Sequence, residues 1–362
     1  MSPRRSLVLV TSLLMLGCQA AEQAPVGSTS QQESSTDPRD DCHRPDCHVR
    51  LGPWQEAASA PHVHLEGGVA LVRGELHLLT GFQAMADHLL TGTTVDIYDP
   101  RSDRWRSGTA SPLSNSHVAA VVDGDDVWMA GGFVGNHPGV ATDQVWRYHA
   151  DEDRWQQEVS LPAPRASGGF VRVGRTLHYI AGLAADRESN PPDHWTLDLD
   201  DPVRWKEAPP LPRPRCHFQA VVVDEVIYAV GGQTGHDVTW VDQTSVDAFD
   251  TRTNSWSTRA DLPAPRSHAD AATLVIGDRI LVIAGRNAIG RTHQPDEWQM
   301  DRITEYDTVA DTWTQVAKTP ALVLAVNASV IGTRVYLTSG GYFWNQPMKK
   351  TWFAEILDDC RC

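Results

Sequence analysis

The sequence predicts an all-β fold made of six repeated units, and three observations lead to this prediction. A hydrophobic run that ends in glycine recurs six times, at residues 76–81, 127–132, 177–182, 226–232, 280–285 and 335–341. A tryptophan follows five of these runs with a period of about fifty residues, as Trp105, Trp155, Trp205, Trp256 and Trp313. The 13 Trp, 27 Gly and 23 Pro suit short strands joined by turns. Repeats of this length predict a six-bladed β-propeller with four antiparallel strands per blade.

The sixth unit lacks its last strand, and this predicts how the ring closes. Its third strand is expected to end at Leu357, and no tryptophan follows before the chain stops. An extra tryptophan, Trp54, lies about one period upstream of the first unit. We expect residues 52–56 to form the outer strand of the last blade, because this pairing removes the open edges of a partial ring.

These landmarks resemble the kelch repeat, which is marked by paired glycines, a Tyr-Asp step and a tryptophan several residues later. The second, fourth and sixth units keep both glycines, at 131–132, 231–232 and 340–341, whereas the others keep one. The resemblance covers residues 51–359. It implies that the glycines allow strands to crowd near the axis and that the tryptophan packs between neighbouring blades.

The amino-terminal residues predict export. Two arginines precede the apolar run 7–16, and Gly17 leads into Cys18, so residues 1–17 are typical of a signal peptide. The four residues ending at Cys18 resemble a bacterial lipobox, which implies a lipidated Cys18 and a cell-envelope lipoprotein at the outer membrane or facing the periplasm. An ordinary signal peptide and a twin-arginine export route are the alternatives. The polar residues 18–41 then form a flexible tether to the propeller, residues 42–362.

Four cysteines flank the predicted closing strand, and we expect them to form two disulfides outside the cell. They are Cys42, Cys47, Cys360 and Cys362. Their pairing stays open, including a local bond between Cys42 and Cys47. A metal site is an alternative, because a histidine follows each of these two cysteines, and free thiols are another. Cys216 is left as a single thiol.

One face of the disc is expected to bind the ligand, because the loops between blades and those after the glycines emerge there together. Aligned on their Pro-Arg steps, the segments between blades place His64, His117, His217 and His268 near the channel mouth, with Arg165, Arg215 and Arg266 as partners for an anion. The long loops add His236, Trp240, Arg286, Trp298 and Trp344. Three interpretations compete for the histidines: bonding to backbone at turns, a polar ligand pocket, or a metal held by two or three of them.

The function predicted first is recognition of a protein, peptide or glycan, and catalysis is the less favoured alternative. The net charge of −15 argues against nucleic acid as a partner. We expect a monomer with no cofactor and no metal. A sugar mutarotase resembling the bacterial N-acetylneuraminate epimerase is the alternative, although no glutamate stands out as its base. A copper oxidase resembling galactose oxidase is less favoured, with Cys216 and Tyr148 as its only matching fragments.

Overall fold

The structure is a computed structural model that describes residues 46–85, 89–288, 300–341 and 346–360. The predicted signal peptide and tether lie outside the described residues, and so do Cys18, Cys42, Cys362, Trp298 and Trp344. Within the described part of the chain, all regular structure is strand apart from one 3₁₀ turn, Asp270–Ala272. No helix there is long and apolar enough to cross a membrane.

Two short strands precede the first blade and three blades follow. The leading strands are β1 (Arg50–Leu51) and β2 (Gln55–Ala57). Blade one holds β3 (Gly68–Val72), β4 (Glu75–Leu79), β5 (Phe82–Met85), β6 (Leu89–Thr91), β7 (Val95–Asp99) and β8 (Arg104–Ser107). Blade two holds β9 (Asn115–Ser116), β10 (Ala119–Asp123), β11 (Asp126–Ala130), β12 (Phe133–Val134), β13 (Val140–Ala141), β14 (Val145–His149) and β15 (Arg154–Glu158). Blade three holds β16 (Gly169–Val173), β17 (Thr176–Ile180), β18 (His194–Asp198) and β19 (Lys206–Ala208).

Three further blades complete the described chain. Blade four holds β20 (Gln219–Val223), β21 (Val226–Val230), β22 (Gln233–Gly235), β23 (Trp240–Asp242), β24 (Val246–Asp250) and β25 (Ser255–Thr258). Blade five holds β26 (Thr273–Ile276), β27 (Arg279–Ile283), β28 (Arg302–Asp307) and β29 (Thr312–Lys318). Blade six holds β30 (Asn327–Ile331), β31 (Arg334–Thr338) and β32 (Thr351–Asp358).

The long strands of each blade form one antiparallel sheet, and these sheets meet around an axis. Blades one to five each pair their four long strands in chain order, while β5–β6, β12–β13 and β22–β23 are hairpins that project from the second and third strands. The first strand of every blade contacts the first strand of the next, from β3 and β10 round to β30 and β3. These first strands therefore surround the channel, and the loops after the second strands lie at its mouth.

The amino-terminal strands complete the sixth sheet. Strand β2 runs antiparallel to β32, with Gln55 opposite Phe353 and Ala57 opposite Thr351. Strand β1 continues along the same edge, with Leu51 opposite Ile356. The all-β fold and its four-stranded blades are confirmed, and this pairing agrees with the predicted closure.

Six tryptophans join neighbouring blades through one repeated hydrogen bond. Each indole Nε1 donates to a backbone carbonyl of the preceding blade at 2.8 to 3.1 Å. They are Trp54, Trp105, Trp155, Trp205, Trp256 and Trp313. Trp54 makes this bond to Lys318 of blade five, so the residue that was predicted to complete blade six occupies the same place as its five counterparts.

A disulfide joins the two ends of the propeller. Cys47 is bonded to Cys360 across 313 residues of sequence. This bond settles the partner of these two cysteines, which sequence alone left open, and uses the thiols that a metal site would need. It crosslinks the blade that the termini share, which restricts the unfolded chain.

Candidate functional site

Six equivalent residues form a ring at the channel mouth, called here the axial ring. Each lies two residues before the first long strand of its blade, or at the matching place in blade five, and has a left-handed backbone with φ between 48° and 57°. They are Glu66, His117, Ser167, His217, His268 and Ala325. The amides of His117, Ser167 and His217 each donate to the carbonyl of the preceding ring residue, at 2.7, 2.8 and 3.1 Å. The ring thus fixes one side chain from every blade around the axis.

The alignment on Pro-Arg steps was wrong by two residues in blade one. It placed His64 in this set, where the structure has Glu66. His64 is fully buried, its Nδ1 donates to the Thr80 carbonyl at 2.7 Å, and its Nε2 lies 3.0 Å from Asp96. Counting back from the start of each first strand would have found Glu66.

The three arginines of the Pro-Arg steps lie inside the sheets, and none of them lines the cavity that opens at the channel mouth. Arg215 is 1% exposed, forms a 2.7 Å ion pair with Asp247, and donates to the Ala229 carbonyl. Arg266 donates to the Val282 carbonyl at 3.1 Å. Arg165 pairs with Asp193 and lies over Trp195. These groups already have partners within the fold, so the predicted anion site does not form around them.

Four residues of the axial ring meet His236 at the channel mouth, and we call these four imidazoles and one carboxylate the histidine cluster. Its members are Glu66, His117, His217, His236 and His268. The rings of His217 and His268 stack with centroids 4.2 Å apart. The ring of His236 also stacks with that of His217, with centroids 5.4 Å apart. His117 meets His217 edge to face at 5.1 Å. Three of these histidines come from the axial ring, and His236 comes from the β22–β23 loop.

Burial sets the charge of the cluster. It lowers the pKa of His217 and of His268 well below the usual value, and it lowers the pKa of His236 to about 4. Burial opposes ionisation of Glu66, but His117, His236 and Arg286 outweigh it and leave the pKa of Glu66 lowered. Near neutral pH the cluster therefore holds an ionised carboxylate among imidazoles of which at least three are uncharged.

Several polar atoms of the cluster have no hydrogen-bond partner within the described chain. They are both carboxylate oxygens of Glu66, which is 6% exposed, and Nδ1 of His217, which is 1% exposed. The Glu66 oxygens do have ion-pair contacts, at 2.8 Å with His117 Nε2 and at 3.4 Å with His268 Nε2. Buried polar atoms of this kind are rare without a function or a bound partner.

A cavity of about 550 Å³ opens over the cluster. Its lining residues are Glu66, Phe82, His117, His137, Gln233, His236, Asp237, Trp240, His268 and Arg286. Arg286 is the predicted arginine that reaches the cavity, where it contacts Asp242 and Gln233 at 2.7 Å each. Sequence reasoning missed Gln233 and Asp237, because nothing in their local sequence marks them as facing the axis, and it missed Glu66 because the alignment placed His64 there.

The cavity wall is held by contacts between loops of different blades. The Glu188 carboxylate of blade three accepts from the amides of Val238 and Thr239 in blade four, at 3.1 and 3.0 Å. Arg187 pairs with Asp237 at 2.6 Å and donates to the Pro138 carbonyl of blade two. Three blades are thus tied together at the rim, so the wall is formed before any ligand arrives.

The fragments that resemble galactose oxidase do not form a copper centre. Cys216 is fully buried in blade four, and burial raises the pKa of its thiol. Tyr148 is buried in blade two, where its hydroxyl donates to Asp153. The structure gives these two residues separate partners, and neither is among the residues that line the cavity.

The family model of the KLHDC2/KLHL20/DRC7 kelch-repeat domain matches residues 117–341, more than half of the chain. The chain therefore belongs to the kelch-repeat family of β-propellers. It is similar to the Kelch repeat-containing protein At3g27220 of Arabidopsis thaliana, with 24% identity over 79% of this chain and 70% of that protein. It is also similar to the Kelch-like protein terF of Aspergillus terreus, with 26% identity over 67% of this chain and 54% of that protein.

Other relatives share the propeller as one part of a longer chain. Kelch-like protein 25 of Xenopus tropicalis is 25% identical over 66% of this chain, which spans only 38% of that relative. Among solved structures, that of YjhT matches 70% of this chain and 84% of its own, with a TM-score of 0.59 and 13% identity. At that identity the likeness describes the fold alone.

Proposed function

We propose that this protein is an exported, lipid-anchored binding protein that takes part of a protein, peptide or glycan into the cavity at the channel mouth. The observation that carries this proposal is the cavity itself. Its volume of about 550 Å³ is in the range of ligand sites, and it combines aromatic walls with a few converging polar groups. Trp240 and Phe82 offer flat apolar surfaces, while Glu66 and Gln233 offer polar contacts.

The outer rim supports a macromolecular partner. Val140 is 73% exposed, Val238 is 66% exposed and Val241 is 58% exposed. All three belong to the β12–β13 and β22–β23 hairpins, whose neighbouring residues line the cavity or bond to its wall. Large exposed apolar side chains beside a polar pocket are typical of binding surfaces.

A paired tryptophan experiment tests the binding site. The purified chain and two variants, Trp240→Ala and Trp146→Ala, are applied to glycan and peptide arrays, and hits are measured by calorimetry. Trp146 lies in blade two and is not among the cavity residues, which makes it the matched control. We expect Trp240→Ala to weaken binding about 30-fold, the effect of losing one aromatic hot spot. Equal binding by all three proteins would place the ligand elsewhere.

The lipid anchor is tested separately at Cys18. In a bacterial host grown with labelled palmitate, the natural chain should carry label and sediment with membranes. Cys18→Ala should lose both properties, since only the cysteine of a lipobox receives the lipid. Label retained by the variant would contradict the anchor and leave the binding proposal untouched.

Glu66 favours a sugar mutarotase as a second candidate. Moving a proton at an anomeric centre needs acid and base groups facing one pocket. Glu66 and His117 lie 2.8 Å apart at the base of the cavity, with Arg286 in the same lining. Proton NMR can follow the conversion of one N-acetylneuraminate anomer into the other. This candidate requires the conversion to be faster with the natural chain than with Glu66→Gln, and it fails if the two rates match the uncatalysed rate.

A further inference from the structure

We propose that the histidine cluster is a binding site for a divalent transition-metal ion, with zinc as the reference ion. The nitrogens of His117, His217 and His236 lie within 4.8 Å of one another, and so do donor atoms of Glu66, His217 and His268. Ligands of a tetrahedral zinc ion stand about 3.4 Å apart at bond lengths of about 2.1 Å. Small rotations of the imidazoles therefore bring the two overlapping sets around one ion.

The hydrogen bonds of His268 show which of its nitrogens has the lone pair. Ser267 Oγ lies 2.8 Å from a carboxylate oxygen of Asp242 and 2.7 Å from His268 Nδ1. The carboxylate can only accept, so the hydroxyl donates to it and accepts the Nδ1 proton. In the uncharged ring this leaves the lone pair on Nε2, which faces Glu66 at 3.4 Å.

His236 has the same tautomer for a similar reason. Its Nδ1 lies 2.6 Å from Asp237, a carboxylate that accepts the Nδ1 proton. The Nε2 lone pair of the uncharged ring is then available to the cluster. A carboxylate that orients the far nitrogen of a histidine is the usual outer-shell arrangement around zinc.

The contact between His268 and Glu66 brings two acceptors together. An Nε2 lone pair and an ionised carboxylate repel each other at 3.4 Å unless a cation lies between them or a proton is shared. A metal ion resolves the repulsion and also supplies a close partner for Glu66 Oε1 and for Nδ1 of His217.

The positive charge of Arg286 does not exclude a cation from the cluster. Its guanidinium group is paired with Asp242 at 2.7 Å, and Asp237 adds a further carboxylate beside His236. Imidazole and carboxylate ligands without thiolate suit zinc, copper and nickel, and the fixed backbone of the axial ring favours a single geometry. The site is open to the cavity, so an ion can enter from solvent.

Metal binding is measured on the mature chain purified without a histidine tag. The protein is stripped with a chelator and titrated with Zn²⁺ against a chromogenic competitor, and Co²⁺ is added separately as a spectroscopic probe. We expect one ion per chain, submicromolar affinity, and the visible absorption bands of Co²⁺ held by imidazole and carboxylate. A chain that binds no ion in this titration would overturn the proposal.

Three single variants identify the ligands. Glu66→Gln and His236→Gln should each weaken Zn²⁺ binding at least 100-fold, because each removes a proposed ligand. His137→Gln is the control, since His137 lines the same cavity but lies outside the cluster. His236 is on a hairpin loop, so its variant keeps the axial ring even if Glu66→Gln proves unstable in thermal unfolding. Unchanged affinity in His236→Gln, or an equal loss in His137→Gln, would refute the assignment.

The outcome is independent of the proposed ligand site. Array binding that depends on Trp240, together with no uptake of Zn²⁺, would overturn the metal centre alone. Uptake of one Zn²⁺ without any array ligand would overturn the binding proposal alone.

Discussion

Replacing His178 with glutamine should flatten the fall in stability of this propeller at acid pH. His178 donates from Nδ1 to Nε2 of His194 at 2.9 Å, because His194 Nδ1 donates to the Pro209 carbonyl at 3.1 Å. Both rings are uncharged in this arrangement. They are buried in blade three and contact Phe249 of blade four.

The direction and size of the effect follow from the pKa values. Burial lowers the pKa of His178 to about 3 and that of His194 to about 4. A histidine in the unfolded chain has a pKa of about 6.5. Below this pH the unfolded state therefore binds protons at His178 and His194, while the folded state does not. Their contribution is therefore fully present above pH 6.5 or so and is lost as the pH falls toward 4. At about pH 4.5 the contribution of each histidine to the free energy of unfolding is about 2.5 kcal/mol lower than at neutral pH, since one pKa unit corresponds to about 1.4 kcal/mol.

Urea unfolding followed by tryptophan fluorescence measures this difference at pH 7.5 and at pH 4.5. The free energy of unfolding should fall less between the two pH values in His178→Gln than in the natural chain, by about 2.5 kcal/mol. Phe249→Leu is the control, because it disturbs the same packing without removing a titrating group. The reasoning is refuted if His178→Gln and Phe249→Leu show the same pH dependence.

Three further predictions concern stability. Arg215→Met should cost about 2–3 kcal/mol in urea unfolding, because it removes a buried charged donor from the Asp247 carboxylate, which keeps its ion pair with Arg213. Arg101→Met, at a side chain 78% exposed, should cost under about 1 kcal/mol, and equal costs would contradict the structural role given to Arg215. Gly182→Ala should lower the Tm more than Gly174→Ala, because a Cβ at Gly182 would lie 2.6 Å from a backbone oxygen while the space at Gly174 is open. Asp270→Asn should gain stability relative to the natural chain above pH 6, since burial raises the pKa of Asp270 to about 6 and stability is lost as the pH rises through that value; a constant difference from pH 4 to 8 would disprove this.

The repeated architecture was predictable from the sequence because each blade repeats the same physical requirement. A glycine is needed where a Cβ would clash with the backbone that leads into the first strand of the same blade, as at Gly182. An indole is needed where its N–H reaches a backbone carbonyl of the preceding blade. These requirements act within a few residues of chain. Trp54 could be assigned to the last blade for the same reason, since the sixth repeat lacked only that landmark.

The candidate site was predictable only in part, because its residues come from different blades and are brought together only when the ring of blades forms. His117, His217 and His268 were found because they are histidines at repeated places. Glu66 was missed because the segment before it differs in length from its counterparts, so its equivalence shows only in backbone conformation. Arg215 is of a residue type that is common in ligand sites, and only its burial beside Asp247 shows that it stabilises the sheet.

The side chains of the axial ring can determine what this propeller recognises without determining its fold. Its six positions share one backbone conformation and sit at the same step of every blade, so an exchange of side chains there leaves the sheets and their seams in place. Ser167 and Ala325 already show that a hydroxyl or a methyl group is accepted where other blades present an imidazole. A library of variants confined to these six positions would change the functional groups at the channel mouth and keep the propeller backbone.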